Sequence, residues 1–493
     1  MPTTTTHDVV IIGAGFSGIG VAIQLDKAGF DDFLLLEDGD GVGGAWHWNT
    51  YPGVGVDIPS FSYQFSFEQR NTWSRVYAPG AELKAYAEHC TDKYGLRERT
   101  RFNTRVTGAR FDDDTHEWTL ETADGDEIVA RNVVVATGAL TQPKLPDIAG
   151  VESFTGTTLH TARWDHDVDL SGKRVAIIGT GASAVQVIPT IAPEVEQLTV
   201  FQRTPIWCLP KPDARLAWPL RTALRVPGAK TLTRTISEAF VEANFPIAAH
   251  FYGVVPLADG AERIGRAFLR QQVKDPVTRE KLTPKYGLGC KRPSFSNRYL
   301  SAFNRDNVVL ETTGIEAITP SGVRTTDGVE HEIDVLILAT GFKVFEKGNM
   351  PPIPVVGADG LDLEAWWDEN RFQAYQGVSM PGFPNLFMML GPYGFNGSSY
   401  FNLIEAQSRH IVRALREARR RSSTRVEVTA EANDAYFQRM LGRRPQQVFF
   451  RDACATANSY YFDAHGDVPL RPALTLETKW EAARYDLDDY TYA

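Results

Sequence analysis

Two short glycine-rich turns constrain what this chain can fold into. The first, Gly13-Ala14-Gly15-Phe16-Ser17-Gly18, stands between an apolar β-branched run at 8–12 and a helical pattern over 16–27. The second, Gly179-Thr180-Gly181-Ala182-Ser183-Ala184, stands between an apolar run at 174–178 and a helical pattern over 182–191. In a strand–turn–helix of this spacing, the first glycine makes the tight turn and the second lets a pyrophosphate reach the backbone. The third small residue lets helix and strand pack closely. Free amides and the helix dipole then hold the phosphates. Each turn is followed by a second strand pattern, at 32–37 and at 198–202. The expected fold is therefore α/β, with two Rossmann-like dinucleotide-binding domains.

The residue closing each second strand separates the two sites. Glu37 ends the first, where a carboxylate accepts hydrogen bonds from a ribose diol. The second ends at Gln202-Arg203-Thr204, with no acid. Arg203 there attracts a ribose 2′-phosphate, which a carboxylate would repel. The reading is FAD at the first site and NADPH at the second, so that a flavin takes electrons from a nicotinamide.

Two further apolar runs end alike, in Ala136-Thr137-Gly138 and Ala339-Thr340-Gly341, and read as buried strands. Pro143, Pro146 and Gly150 mark a linker. The stretch after Pro205 lacks strand–helix alternation and reads as a helical insertion. The expected order is an FAD-binding domain over 1–145, an NADP-binding domain over 146–210, the helical insertion over 211–285, the rest of the NADP-binding domain over 286–334, and the rest of the FAD-binding domain over 335–493. Residues 245–257 are apolar but short and broken by Pro246, His250 and Pro256, and read as buried chain rather than a membrane span. Arg419-Arg420-Arg421 reads as the solvated end of a helix that starts near Leu403.

The 493 residues are enough for about three domains. With 43% hydrophobic and 23% charged residues, the chain is globular rather than disordered. A net charge of −10 disfavours nucleic acid and anionic membrane as main partners. Cys90, Cys208, Cys290 and Cys454 form no C-x-x-C pair, which disfavours a disulfide framework, a zinc site and a dithiol redox centre. The expectation is no metal and a reducing, cytoplasmic setting. Residues 1–7 lack the basic and apolar regions of a secretory signal.

Between the two glycine motifs, Phe154-Thr155-Gly156-Thr157-Thr158-Leu159-His160-Thr161-Ala162-Arg163-Trp164-Asp165 resembles the F-x-G-x-x-x-H-T-x-x-W-[PD] fingerprint of Baeyer–Villiger monooxygenases at every specified position. Gly43-Gly44-Ala45-Trp46, Tyr51-Pro52-Gly53 and Asp57 resemble the family's second signature. The resemblance runs over almost the whole chain. It implies that NADPH reduces FAD, that O2 then gives a C4a-peroxyflavin, and that this attacks a ketone to yield an ester or lactone. Arg292, in Lys291-Arg292-Pro293, matches the family's active-site arginine, with Asp57 beside it. A permanently charged guanidinium stabilises the peroxide anion and the tetrahedral oxyanion.

By the same resemblance, Gly13, Gly15, Gly18, Glu37, Gly44, Trp46, Asp57, Thr340 and Gly341 serve the flavin. Gly179, Gly181, Ser183, Arg203, Thr204 and Lys291 serve NADP. His160 and Trp164 lie on a segment linking domains, which favours a coupling role over acid–base chemistry. Tyr393, Phe395 and Tyr460 are candidates for lining the substrate site. Tyr460 stands where many family members carry Trp. Two other readings stay open: a flavin monooxygenase acting on nitrogen or sulfur, which uses a protonated hydroperoxide, and an NADPH oxidase without oxygenated product. The expected partners are a small ketone and O2; neither the ketone nor the oligomeric state is legible.

Overall fold

The structure is a computed structural model and describes residues 5–493. Residues 1–4 of the opening segment, read above as carrying no signal, lie outside the described residues. The β-branched run of the first motif becomes strand Thr5–Ile12, with Val9, Val10 and Ile11 fully buried. It pairs in parallel with Phe33–Leu36 on one side and Glu127–Val135 on the other. Burial on both faces accounts for a continuous apolar run rather than alternation. The full sheet has eight strands. Its path runs Val355–Val356, Val106–Asp112, Glu117–Thr122, Glu127–Val135, Thr5–Ile12, Phe33–Leu36 and Thr100–Arg101, and Leu386–Met388 also pairs with Glu127–Val135. The helix Phe16–Lys27 packs on it, against the long helix Tyr400–Arg421. At the end of that long helix, Arg420 and Arg421 both fold back onto Glu417, as a solvated helix terminus.

The second sheet has five parallel strands in the order Val308–Glu311, Gln197–Phe201, Arg174–Ile178, Val335–Leu338, Thr157–His160. The helix Ala182–Ile191 follows its glycine turn and tolerates Pro189 within it. Here the expected division needs correcting. Val335–Leu338 is a central strand of the second sheet, so the chain returns to the first unit only after Gly341, not at 335. The two Ala-Thr-Gly runs look alike because both are buried parallel strands. An apolar run reports burial but not which sheet it joins.

The insertion is helical, with Trp218–Ala223, Ala229–Glu242, Leu257–Gln272 and Pro276–Lys281. A π-helical turn, Ala243–Ile247, widens the chain where Pro246 has no N–H to give. The expectation that 245–257 is buried fails at its end: Val254, Val255 and Leu257 are exposed.

A second correction concerns the cysteines. Cys290 and Cys454, 164 positions apart, form a disulfide. Local spacing cannot reveal a pair that only the fold brings together. It ties the residue before Lys291-Arg292 to the loop leading to Tyr460-Tyr461. Cys90 and Cys208 are free and buried, and burial pushes both thiols up to about 12.

Candidate active site

The two glycine turns fit dinucleotides for reasons visible in the backbone. Gly13 has φ +106°, and a Cβ there would lie 2.7 Å from the Ala136 carbonyl oxygen. At Gly18 a Cβ would lie 1.9 Å from the Gly13 carbonyl, so helix and strand touch only because the side chain is missing. Gly44 has φ +54°, and its Cβ would lie 3.0 Å from the Gly15 Cα. Two side-chain-free backbones thus form the mouth of the first turn. Glu37 is buried beside it, accepting from the amides of Ala14 (2.7 Å) and Gly39 (2.9 Å). A carboxylate has lone pairs left for a ribose diol.

In the second turn Gly179 has φ +113°, with its Cβ position 2.4 Å from the Ala339 carbonyl, while a Cβ on Gly181 meets nothing within 4 Å. Gly181 therefore faces the open side, which leaves room for a pyrophosphate, and Ser183 sits in the helix's first turn. The Thr180 hydroxyl donates to the Thr204 carbonyl at 3.0 Å, pinning the end of the second strand to the turn. Arg203 is exposed there. Lys291 comes to the same place. Burial, and then the neighbouring Arg203 charge, lower its ammonium to about 8. Two cations held close with no salt-bridge partner among the described residues suit a phosphate.

Asp57 and Arg292 meet across 235 positions in a fork-to-fork pair, Nε to Oδ2 at 3.0 Å and Nη2 to Oδ1 at 2.9 Å. Burial opposes the arginine charge. Asp57, followed by the hydroxyls of Tyr461, Tyr460 and Tyr400, outweighs it and holds the guanidinium charged beyond its ordinary range. Trp46 donates from Nε1 to the Tyr63 hydroxyl at 3.3 Å. Burial raises Tyr63, the larger effect, and the Trp46 donor works against it. A cavity opens at the pair, lined by Asp57, Ile58, Tyr77, Phe240, Phe245, Arg292, Phe295 and Gly397 among others. The Phe245 ring lies 5.9 Å from the Arg292 guanidinium. Gly397, at φ +86°, makes room for it, since a Cβ would fall 1.7 Å from that ring.

Phe240, Phe245 and Tyr63 were not found from sequence. The π-helical turn that aims Phe245 leaves no periodic signal, and Pro246 was the only local hint. None of the expected lining residues lines this cavity directly: Phe395 stacks on Tyr400 at 4.7 Å, and Tyr460, close enough to Arg292 to act on its charge, packs on Tyr461 at 4.6 Å with nearly half its surface exposed. Tyr393 is not brought there. Its φ of +57° turns the side chain into the core, edge-on to Phe437 at 5.5 Å.

His160 ends the edge strand of the second sheet. Its Nδ1 accepts from the Ala162 amide at 3.0 Å, and its Nε2 lies 3.4 Å from the Thr340 hydroxyl, which donates to the Lys144 carbonyl at 2.5 Å. Burial lowers its pKa, so the ring stays neutral. Nearby, Arg163 covers the Trp48 ring at 4.2 Å, His166 bonds Thr50 at 2.9 Å, and Trp164 packs on the second core. The segment therefore bridges the two dinucleotide units. Gly341, next to Thr340, has φ +84° at the point where the chain recrosses. Among the described residues, no group of His, Cys, Asp and Glu could hold a metal ion.

Residues 10–218 match the pyridine nucleotide-disulphide oxidoreductase family model. A Baeyer–Villiger monooxygenase of Pseudomonas aeruginosa is 40% identical over 454 residues, 90% of this chain and 84% of that protein. Among solved structures, a closed cyclohexanone monooxygenase superposes with a TM-score of 0.89 at 31% identity, covering 100% of both chains. The complex of OTEMO with FAD and NADP superposes at 0.88, with 28% identity and 100% of both chains covered. Both superpositions cover the whole chain, including the two glycine turns and the helical insertion. This chain belongs to the Baeyer–Villiger monooxygenases.

Proposed function

We propose that this enzyme converts a small ketone to an ester or lactone with O2, and that Arg292 is the residue on which the oxygen insertion turns. NADPH supplies the electrons and bound FAD supplies the oxygen chemistry; everything else is positioning and electrostatics from the chain. Arg292 points fixed donors into the cavity, where they stabilise negative charge on the ketone oxygen as the carbonyl is attacked. Asp57 aligns that fork and balances its charge. Gly13, Gly15, Gly18, Glu37, Gly44, Trp46, Thr340 and Gly341 hold the flavin dinucleotide. Gly179, Gly181, Ser183, Arg203, Thr204 and Lys291 hold NADPH. His160 and Trp164 couple the two units. Phe245, Phe395 and Tyr460 border the ketone and keep water from it. Reliance on NADPH favours a cytoplasmic location. Among the described residues, no helix is long and apolar enough to cross a membrane.

The bidentate Asp57–Arg292 pair at the cavity carries the reading. A nitrogen- or sulfur-oxidising flavin enzyme works with a protonated oxygen donor and needs no such fixed cation. Arg292→Ala is expected to keep flavin reduction by NADPH and to lose ester formation. Unchanged ketone oxidation in that variant would overturn the assignment.

A further inference from the structure

A surface helix of a globular protein normally buries its apolar stripe. The insertion helix Ala229–Glu242 does the reverse. Its inward residues are Arg234, Ser237 and Val241. Arg234 donates to the Gln64 carbonyl at 2.6 Å and to Asn402 at 3.0 Å, and Ser237 bonds Ser62 at 2.8 Å. The stripe at i, i+4, i+8 faces outward: Leu232 is 63%, Ile236 63% and Phe240 41% exposed. A second helix, Thr475–Arg484, runs antiparallel beside it. The Thr475 amide donates to Glu242 at 2.8 Å at one end, and Lys479 shares Asn402 with Arg234 further along. Its outward residues are also apolar, with Leu476 75% and Trp480 57% exposed. Two adjacent helices thus present one apolar face.

We propose that this face docks on an anionic lipid bilayer, with the mouth of the ketone cavity at the membrane. Charge selects this occupant. From 215 to 230 the chain has four basic residues and no acid, within a protein of net charge −10. Nearby acids are engaged: Glu238 pairs with Arg234 at 2.8 Å and Glu477 with Arg443 at 2.7 Å. Arg225 and Lys230 stand exposed beside the stripe. The global negative charge is screened beyond about 8 Å, so the local positive field governs contact. An exposed apolar stripe flanked by Lys and Arg, with a Trp, is the pattern of a helix lying in a bilayer interface. A second copy fits worse, since a twofold interface would set these cations against themselves. Phe240 belongs both to the stripe and to the cavity lined by Arg292. An apolar ketone dissolved in the bilayer therefore reaches the cavity without crossing water. This last point rests on the ketone reading; the docking itself does not.

The test is flotation of the full-length, FAD-loaded protein with vesicles of phosphatidylcholine alone or mixed with phosphatidylglycerol. Binding is expected only with the anionic lipid and is expected to weaken as salt rises. Ile236→Glu and Trp480→Glu should each weaken it about tenfold or more, with unchanged melting temperature and unchanged flavin reduction by NADPH. No binding to either vesicle, or equal binding to both, overturns the proposal. So does vesicle-free self-association abolished by Ile236→Glu, which would make the face a protein–protein interface. Flotation reads no ketone turnover, so either conclusion can fail without the other.

Discussion

The pairing of Lys291 with Arg203 predicts a pH dependence that singles out the 2′-phosphate. In the free protein, burial and Arg203 lower the Lys291 ammonium to about 8. The charge is therefore present below that pH and lost above it. A bound phosphate dianion favours the charged form and draws the value back toward the ordinary lysine value of about 10.4. Taking the full return, affinity for NADPH falls about 25-fold from about pH 7 to about pH 9.5. Lys291 is only partly buried, and solvent screening brings the expected loss to about tenfold. The assay is the dissociation constant for NADPH and for NADH across that range, read by titration with the flavin kept oxidised. NADPH binding should weaken with rising pH while NADH binding stays nearly flat. Lys291→Arg should remove the slope, because guanidinium keeps its charge. A flat NADPH profile in the unaltered protein, or an equal slope for NADH, would refute the placement of Lys291 on the phosphate.

Other outcomes follow from the same geometry. Gly18→Ala drives a Cβ to 1.9 Å from the Gly13 carbonyl and should give protein without flavin colour. Gly181→Ala has free space and should keep FAD while weakening NADPH about tenfold, as a methyl meets the approaching pyrophosphate. Asp57→Asn removes the countercharge of Arg292. Breaking a buried pair costs about 3–5 kcal/mol, but these side chains are 26% and 28% exposed, which reduces the cost to about 1–2 kcal/mol, readable in chemical denaturation. Reductant should lower stability by about 2–4 kcal/mol through the Cys290–Cys454 link, and Cys454→Ser should remove that sensitivity.

Both glycine turns were legible because each is local: strand, turn and helix lie within about 30 residues, and the acid or arginine that chooses the dinucleotide closes the same unit. Helix bounds Phe16–Lys27 and Ala182–Ile191 follow from the same signal. What sequence missed depends on distant pairing. Val335–Leu338 could join either sheet by its residues alone; only its neighbours Arg174–Ile178 and Thr157–His160 decide. The Cys290–Cys454 link spans 164 positions and has no spacing rule. Arg292 and Asp57 came from resemblance, and the structure supplies the reason they act together. Tyr393 and Phe395 lie two apart on one turn, and the left-handed φ of +57° at Tyr393 sends its ring into the core against Phe437 while Phe395 stacks on Tyr400.

One mass measurement tests the role of Arg292 most directly. The protein and its Arg292→Ala variant are supplied with NADPH, a ketone and O2 enriched in heavy oxygen. The unaltered protein should give an ester or lactone carrying a single heavy oxygen atom, while the variant reduces its flavin at the same rate and yields no ester. Labelled ester from Arg292→Ala at the unaltered rate would contradict the assignment of the oxygen insertion to that guanidinium.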